Sequence, residues 1–373
     1  MKFLHTADWQ IGRQYERFGP EDGPALAEAR LSAVERIASL ATAENVDAVL
    51  VAGDVFDAQT VSDRTIRRLF NATTGYSGPW ILLPGNHDAA LAESVWTRAL
   101  RLNAVPSQVH LALKPEPLLF AGDGFVVLPA PLTQRHTYGD LTVWFDGCQT
   151  PPGLLRIGLA HGSVEGVLME EIDSPNPIAA DRASRAHLDY LALGDWHGTR
   201  QINTRTWYSG TPEQDRFKAN GAGQVLLVAL DEPGAEPVVT PLAVGEYPWL
   251  QWQQRLEVPS DLDRFIQRLQ EIHCPSVLNI ALEGQLDLLG DQRLREALAQ
   301  AEALHRGVVY DLSDLRLQPT PEDIAGLQVD GYVGEVVEAL RQQQATAEGE
   351  VAREALAILT RLLIERQTQE GRA

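Results

Sequence analysis

Five short apolar runs in this chain stop in the same way, at a side chain able to hold a metal ion and mostly beside glycine. Phe3-Leu4-His5-Thr6-Ala7 ends at Asp8, with Trp9 and Gln10 following, and Ala48-Val49-Leu50-Val51-Ala52-Gly53 ends at Asp54. Trp80-Ile81-Leu82-Leu83 breaks at the turn pair Pro84-Gly85 and presents Asn86, His87 and Asp88. Arg156-Ile157-Gly158-Leu159-Ala160 ends at His161-Gly162, and Tyr190-Leu191-Ala192-Leu193-Gly194 ends at Asp195, Trp196 and His197. Apolar runs of this length, bounded by turn residues, read as buried strands. Ligands of open α/β sheets gather in the crevice beyond the carboxyl ends of the strands, so the pattern predicts one site assembled from several strand ends. Any one of these turns could be a loop of ordinary turn residues. Their regular recurrence argues for a shared site.

The segments between the runs set the fold class. Residues 25–43 carry Leu26, Ala29, Ala33, Ile37 and Leu40 on one helical stripe. Ser62-Asp63 can cap a helix bearing Ile66, Leu69 and Phe70, and Leu91 to Leu102 reads as a further helix. Strand, helix, strand, helix, strand at this spacing predicts an α/β layer with substantial parallel pairing. From about 109 onward shorter strands, among them the run through Phe125–Leu128 and the one ending at His161, predict a second sheet. The stretch 163–187 reads as a polar loop, with Ser174-Pro175-Asn176-Pro177, and then a short helix.

The first domain is expected to span 1–245. A smaller β-α-β-α-β unit follows over 246–318, with an S-x-x-D cap at Ser260 to Asp263 and a strand from Val308 to Leu317. The remainder, 319–373, reads as an acidic helical tail. Val333, Val336, Val337 and Leu340 form one of its apolar stripes, and Val351, Ala355, Ile358, Leu362 and Leu363 the other. Such stripes bury against the chain's own core or dock in a partner's groove.

Charge narrows the function. A net charge of −20 excludes a protein that grips nucleic acid by a global basic field. Local arginine clusters remain after the site loops: Arg13 and Arg17; Arg64, Arg67 and Arg68; Arg200 and Arg205. Lysine occurs only at Lys2, Lys114 and Lys218. No run of 18 apolar residues exists, so no membrane span is expected. The N-terminus enters a strand without an apolar signal region, and Cys148 and Cys274 form no ligand pair. A reduced, cytoplasmic protein is the expectation.

Asp8, Asp54, Asn86, His161, Asp195 and His197 together form an oxygen and nitrogen donor set suited to two divalent cations. Carboxylate and imidazole without thiolate favour Mn²⁺, with Fe²⁺ or Zn²⁺ as alternatives. Two ions about 3.5–4 Å apart clamp a phosphoryl group for in-line displacement. Asp54, after the central strand, is the natural bridging carboxylate, and His87 stands where it would serve as general acid or hold the scissile phosphate.

Asp8-x-Gln10, Gly53-Asp54-x-x-Asp57, Gly85-Asn86-His87-Asp88, His161-Gly162 and Gly194-Asp195-x-His197 resemble the motifs of calcineurin-like metallophosphoesterases. His5-Thr6-Ala7-Asp8-Trp9 is similar to the opening of the SbcD/Mre-type DNA repair exonucleases within them. The resemblance covers about the first 210 residues. It implies a two-sheet sandwich flanked by helices, with a small α+β capping, DNA-recognition domain and a helical tail. It implies Asp8, Gln10, Asp54 and His197 around one metal, and Asp54, Asn86, His161 and Asp195 around the other, with His87 catalytic. The partners it implies are DNA, an SbcC-like ATPase docking on the tail, and a second copy of the chain. The family carries His where Gln10 stands, and His-x-His where Asp195-Trp196-His197 stands; Asp195 makes the site harder and richer in oxygen. Two other readings are a phosphodiesterase acting on a nucleotide or small phosphodiester, and a scaffold subunit whose altered ligands leave it catalytically weak.

Overall fold

Successive residues of the strand Lys2–Thr6 decide the layering. Phe3 and Leu4 point to opposite faces, as strand neighbours must, and both are fully buried, so their sheet is covered on both sides. Leu4 packs with Val34 and Ile37 of the helix Asp22–Ala43. Phe3 packs with Phe125, Ile157 and Leu159 of a second sheet. The computed structural model describes residues 1–167, 176–320, 332–343 and 349–370. The chain divides into two units, Met1–Pro248 and Trp249–Ala373.

The first unit is a sandwich of two six-stranded mixed sheets with helices outside. In the first sheet Lys2–Thr6, Ala48–Val51, Trp80–Leu82 and Val109–Leu111 run parallel, and Gln224–Ala229 and Val238–Ala243 complete it antiparallel. In the second, Phe125–Ala130, Leu155–His161, Tyr190–Gly194 and Thr206–Tyr208 run parallel between antiparallel edges at Leu118–Phe120 and Arg200–Gln201. The site motifs lie at or just past the carboxyl ends of parallel strands. The two sheets meet there: His161 at the end of one reaches the carbonyl of Ala52 at the end of the other.

The second unit holds the parallel strands Trp249–Leu256 and Val277–Leu286 joined through the helix Pro259–Gln270. Trp252, Phe265, Ile280 and Leu294 fill its core. Two expectations need correction here. The strand foreseen from Val308 to Leu317 is two, Val308–Asp311 and Leu315–Leu317, because the chain turns at Leu312 before pairing again with Val277–Leu286. The helix cap is also not Ser260. Pro259, whose fixed φ suits the first helical position, puts the cap at Val258, two residues earlier, and Asp261 Oδ2 accepts the N–H groups of Glu257 and Val258.

The helices Tyr332–Gln343 and Gly349–Glu370 pack on each other. Val337 of the first stripe is buried, while the second helix packs through a face other than the apolar stripe read from the sequence. Ala352, Leu356 and Thr360 are buried, whereas Val351, Ile358 and Leu362 are exposed. Thr360 tolerates burial because its hydroxyl donates to the Leu356 carbonyl. Ser174 and Pro175 of the polar loop and residues 321–331 of the tail lie outside the described residues.

Candidate metal centre

The structure brings all eight residues singled out from the sequence into one pocket. Asp8, Asp54 and His161 each offer a ligand atom within 4.8 Å of the others. His161 Nε2 lies 3.6 Å from Asp54 Oδ1 and 3.6 Å from Asp195 Oδ1. Asn86 Oδ1 stands 2.9 Å from His161 Nε2 and 3.0 and 3.1 Å from the two oxygens of Asp54. Asp8 accepts the N–H of Asp195 on both carboxylate oxygens. His197 Nε2 faces the amide nitrogen of Gln10 at 3.2 Å, while Gln10 Oε1 accepts from Arg13. Gln10 therefore turns its nitrogen toward His197 and its oxygen toward Arg13. The His87 side chain is 30% exposed and stands at the edge, Nε2 3.9 Å from Asp54 Oδ2.

The backbone is bent to achieve this. Eight described residues other than glycine have positive φ, and five of them are Asp8, Gln10, Asp54, Asp195 and His197. Asp and His tolerate the left-handed region better than most residues; Gln10, at φ 44°, has no such excuse. Each such residue costs on the order of 1–3 kcal/mol and persists where the surroundings over-determine it. Close approach does so here: a Cβ on Gly85 would lie 2.2 Å from Asp54 Oδ1, and one on Gly53 2.2 Å from His161 Nδ1.

Charge is crowded in the pocket. Burial, and then the charges of Asp54 and Asp8, push the Asp195 carboxyl up to about 7. Asp8 is raised likewise, chiefly by burial. Burial opposes charging His161, but Asp54, Asp195 and Asp8 outweigh it and lift the imidazole to about 9. Asp195 Oδ2 is buried without a hydrogen-bond partner. The Asn86 amide, His161 Nε2 and both carboxylate oxygens of Asp54 crowd into one space. The Asn86 amide can also turn its NH₂ group toward Asp54 and His161, whereas with a cation in the site its oxygen faces inward as a further donor. His161 Nδ1, held by the Ala52 carbonyl at 2.8 Å, must donate there, which leaves Nε2 free to ligate. The residues fit divalent metal.

Three further acids belong to the site and were not singled out as functional. Asp57 offers its backbone carbonyl to His87 Nδ1 at 2.7 Å. Asp88 ties the loop shut, accepting the N–H groups of Phe56 and Gly85, and burial followed by the Asp54 charge pushes its carboxyl up to about 7. Asp215 accepts from His197 Nδ1 at 3.1 Å. Burial alone would raise its carboxyl, but His197, Arg30 and Arg216 hold it well below the usual range. Of the arginine clusters, Arg13 reaches the site directly, donating to Gln10 and pairing with Asp215. Arg68 instead pairs with Glu28, and Arg205 with Asp189 and the Gly234 carbonyl. Lys218, unassigned from the sequence, stands 4.5 Å from the ring of Trp196, over which Arg200 also lies at 5.6 Å. Arg17 covers Phe18 and Phe217 at 4.8 and 5.5 Å.

A two-sheet sandwich whose strand ends gather this donor set defines a metal-dependent phosphoesterase, and residues 1–221 match the profile of the calcineurin-like phosphoesterases. The chain belongs to that family. Its relatives include proteins named as the SbcD component of the nuclease SbcCD. The one from Escherichia coli K12 is 31% identical over 65% of this chain and 70% of its own length. The one from Bacillus subtilis is 22% identical over 80% and 83%. The match to the Rhodobacter capsulatus protein, at 41% identity, is local, covering 24% of this chain and 22% of that protein. Among the described residues no helix is long and apolar enough to cross a membrane.

Proposed function

We propose that the chain is a two-metal DNA exonuclease acting in double-strand break repair and recombination, a cytoplasmic protein that works with an SbcC-like ATPase. The observation that carries the phosphoesterase chemistry is the convergence of Asp8, Asp54 and His161, with Asn86, Asp195 and His197 around them. Asp8, Asp54 and His197, with Gln10 beside them, would hold one ion; Asp54, Asn86, His161 and Asp195 would hold the other. Mn²⁺ suits this oxygen-rich set best. Bound ions would supply Lewis-acid polarisation and charge neutralisation at a phosphoryl group.

His87 moves the proton. The Asp57 carbonyl can only accept, so Nδ1 keeps its hydrogen. A proton taken up at Nε2, forming the imidazolium, is the one that passes to the leaving oxygen and returns the ring to its neutral Nδ1–H form. Its backbone is fastened to Asp54, which keeps the imidazole at the edge where substrate arrives.

DNA is favoured over a small ester by the rim of Arg17, Phe217, Lys218, Trp196 and Arg200. Three cations held over aromatic rings suit a polyanionic strand, and they sit beside the last motif of a chain that is otherwise strongly acidic. In the tail, the exposed Val351, Ile358 and Leu362 lie at helical spacing and fit a helix-in-groove contact with the ATPase. The naming of the relatives as one component of a two-part nuclease supports that partner. The region from Trp249 onward is read as a capping module followed by this docking tail.

Mn²⁺-dependent turnover on linear duplex, single-stranded DNA and a small aryl phosphodiester tests the reading. Degradation of DNA from its ends upholds it. Turnover of the small ester alone would make the chain a phosphodiesterase, and none on any substrate would make it a scaffold.

A further inference from the structure

Asp215 lies past the last motif, on the loop after the strand Thr206–Tyr208, and the chemistry above does not use it. It is nearly inaccessible, 3% exposed, yet three guanidiniums converge on it. Arg13 Nη1 and Arg30 Nη2 lie 2.9 and 3.2 Å from Oδ2, and Arg216 Nε lies 3.0 Å from Oδ1. A carboxylate so surrounded is an acceptor only. The same Oδ2 is 3.1 Å from His197 Nδ1, so the hydrogen of a neutral imidazole belongs on Nδ1.

The other end of the ring agrees. His197 Nε2 faces Gln10 Nε2, a group that only donates, at 3.2 Å. Gln10 is held in that orientation because its Oε1 takes the Arg13 guanidinium, the same group that pairs with Asp215. One contact opposes. Arg216 Nη2 stands 2.9 Å from Nδ1, and a donor there favours the opposite tautomer. The Arg216 side chain is 47% exposed and can turn toward solvent, whereas the Asp215 side chain is 0% exposed and stays held by Arg13 and Arg30 when it does. The carboxylate prevails.

We propose that Asp215 is a positioning residue that fixes His197 as its Nδ1–H tautomer and directs the Nε2 lone pair at the metal, with Arg13 tying this to Gln10. The role at the metal rests on the metal-centre reading above; the tautomer does not. Groups that orient a metal-binding imidazole from behind change metal affinity by about 10–100-fold when removed.

The test uses full-length protein with ¹⁵N-labelled histidine, the His197 signal being assigned by its loss in His197→Gln. Nitrogen shifts of the metal-free protein should show the Nδ1–H form. Asp215→Asn should scramble the tautomer and weaken one class of Mn²⁺ sites by about 10–100-fold in calorimetric titration. Asp215→Glu should restore most of both, and Arg216→Gln should keep both. An Nε2–H tautomer in folded wild type overturns the proposal even if Asp215→Asn fails to fold. So does an Asp215→Asn protein with the wild-type tautomer and Mn²⁺ affinity. A wild type with the expected tautomer but no Mn²⁺ binding overturns the metal-centre reading instead, and with it the role of Asp215 at a metal.

Discussion

Asp54 Oδ1 accepts the backbone N–H of His87 at 2.9 Å, so the loop bearing the imidazole is fastened to the proposed bridging carboxylate through main chain and not through the imidazole. The two functions can therefore be separated. His87→Ala should leave Mn²⁺ stoichiometry near wild type while turnover of an aryl phosphodiester falls about 10²-fold or more, the scale of acid–base catalysis. Parallel metal titration and steady-state kinetics check this, and unchanged turnover removes His87 from the chemistry.

The close approach at Gly85 gives a second prediction. A Cβ there would meet Asp54 Oδ1 at 2.2 Å and Asp54 N at 2.4 Å, and neither can retreat without moving the centre of the site. Gly85→Ala should lower Mn²⁺ content and turnover together, the latter by about 10²-fold, the cost of misplacing a reacting group by about 1 Å. Gly122→Ala, where nothing lies within 4 Å, should change neither. Metal analysis of the two purified variants decides the matter.

Much of this site was legible because its information is local. Asp8, Asp54, Asn86 and His161 end apolar runs that could only be buried strands, and parallel strands bring their carboxyl ends to one edge. What could not be read depends on distant neighbours. Asp215 sits in a polar loop with no periodicity, and its partners Arg13 and Arg30 come from the other end of the chain. The left-handed backbone at Gln10 has no composition signal at all. In the tail, two helical faces both carried apolar residues. The one with fewer bulky groups, Ala352 and Leu356 with Thr360, is the one that packs.

His5 makes stability pH-dependent. It is fully buried, with Nδ1 3.0 Å from the Tyr190 hydroxyl and Nε2 3.1 Å from the Leu193 carbonyl, and burial lowers its pKa to about 3. The folded state resists a proton that the unfolded chain accepts below the ordinary histidine value of 6.5. The stabilisation is thus complete above pH 6.5 and is lost as the pH falls toward 3, at up to about 1.4 kcal/mol per pH unit. Denaturant midpoints between pH 7 and 4 should fall less steeply for His5→Gln than for wild type. Equal slopes would show that His5 is not the group responsible.

The rim predicts how DNA binding responds to salt. Arg17 and Lys218 are exposed and lie over Phe217 and Trp196, so each charge is held by a ring where it can reach a phosphate. Binding of single strands weakens with salt in proportion to the phosphates neutralised, with a slope of about 0.7 per contact. Replacing both residues, Arg17→Gln with Lys218→Gln, should flatten the slope of log affinity against log salt by about 1.4. The loss should be largest at low salt, where counterion release contributes most. Fluorescence anisotropy of a labelled oligonucleotide across a salt series measures both. A parallel shift with unchanged slope would mean that these side chains pack the rim without touching the phosphates, and the case for DNA over a small ester would lose its structural support.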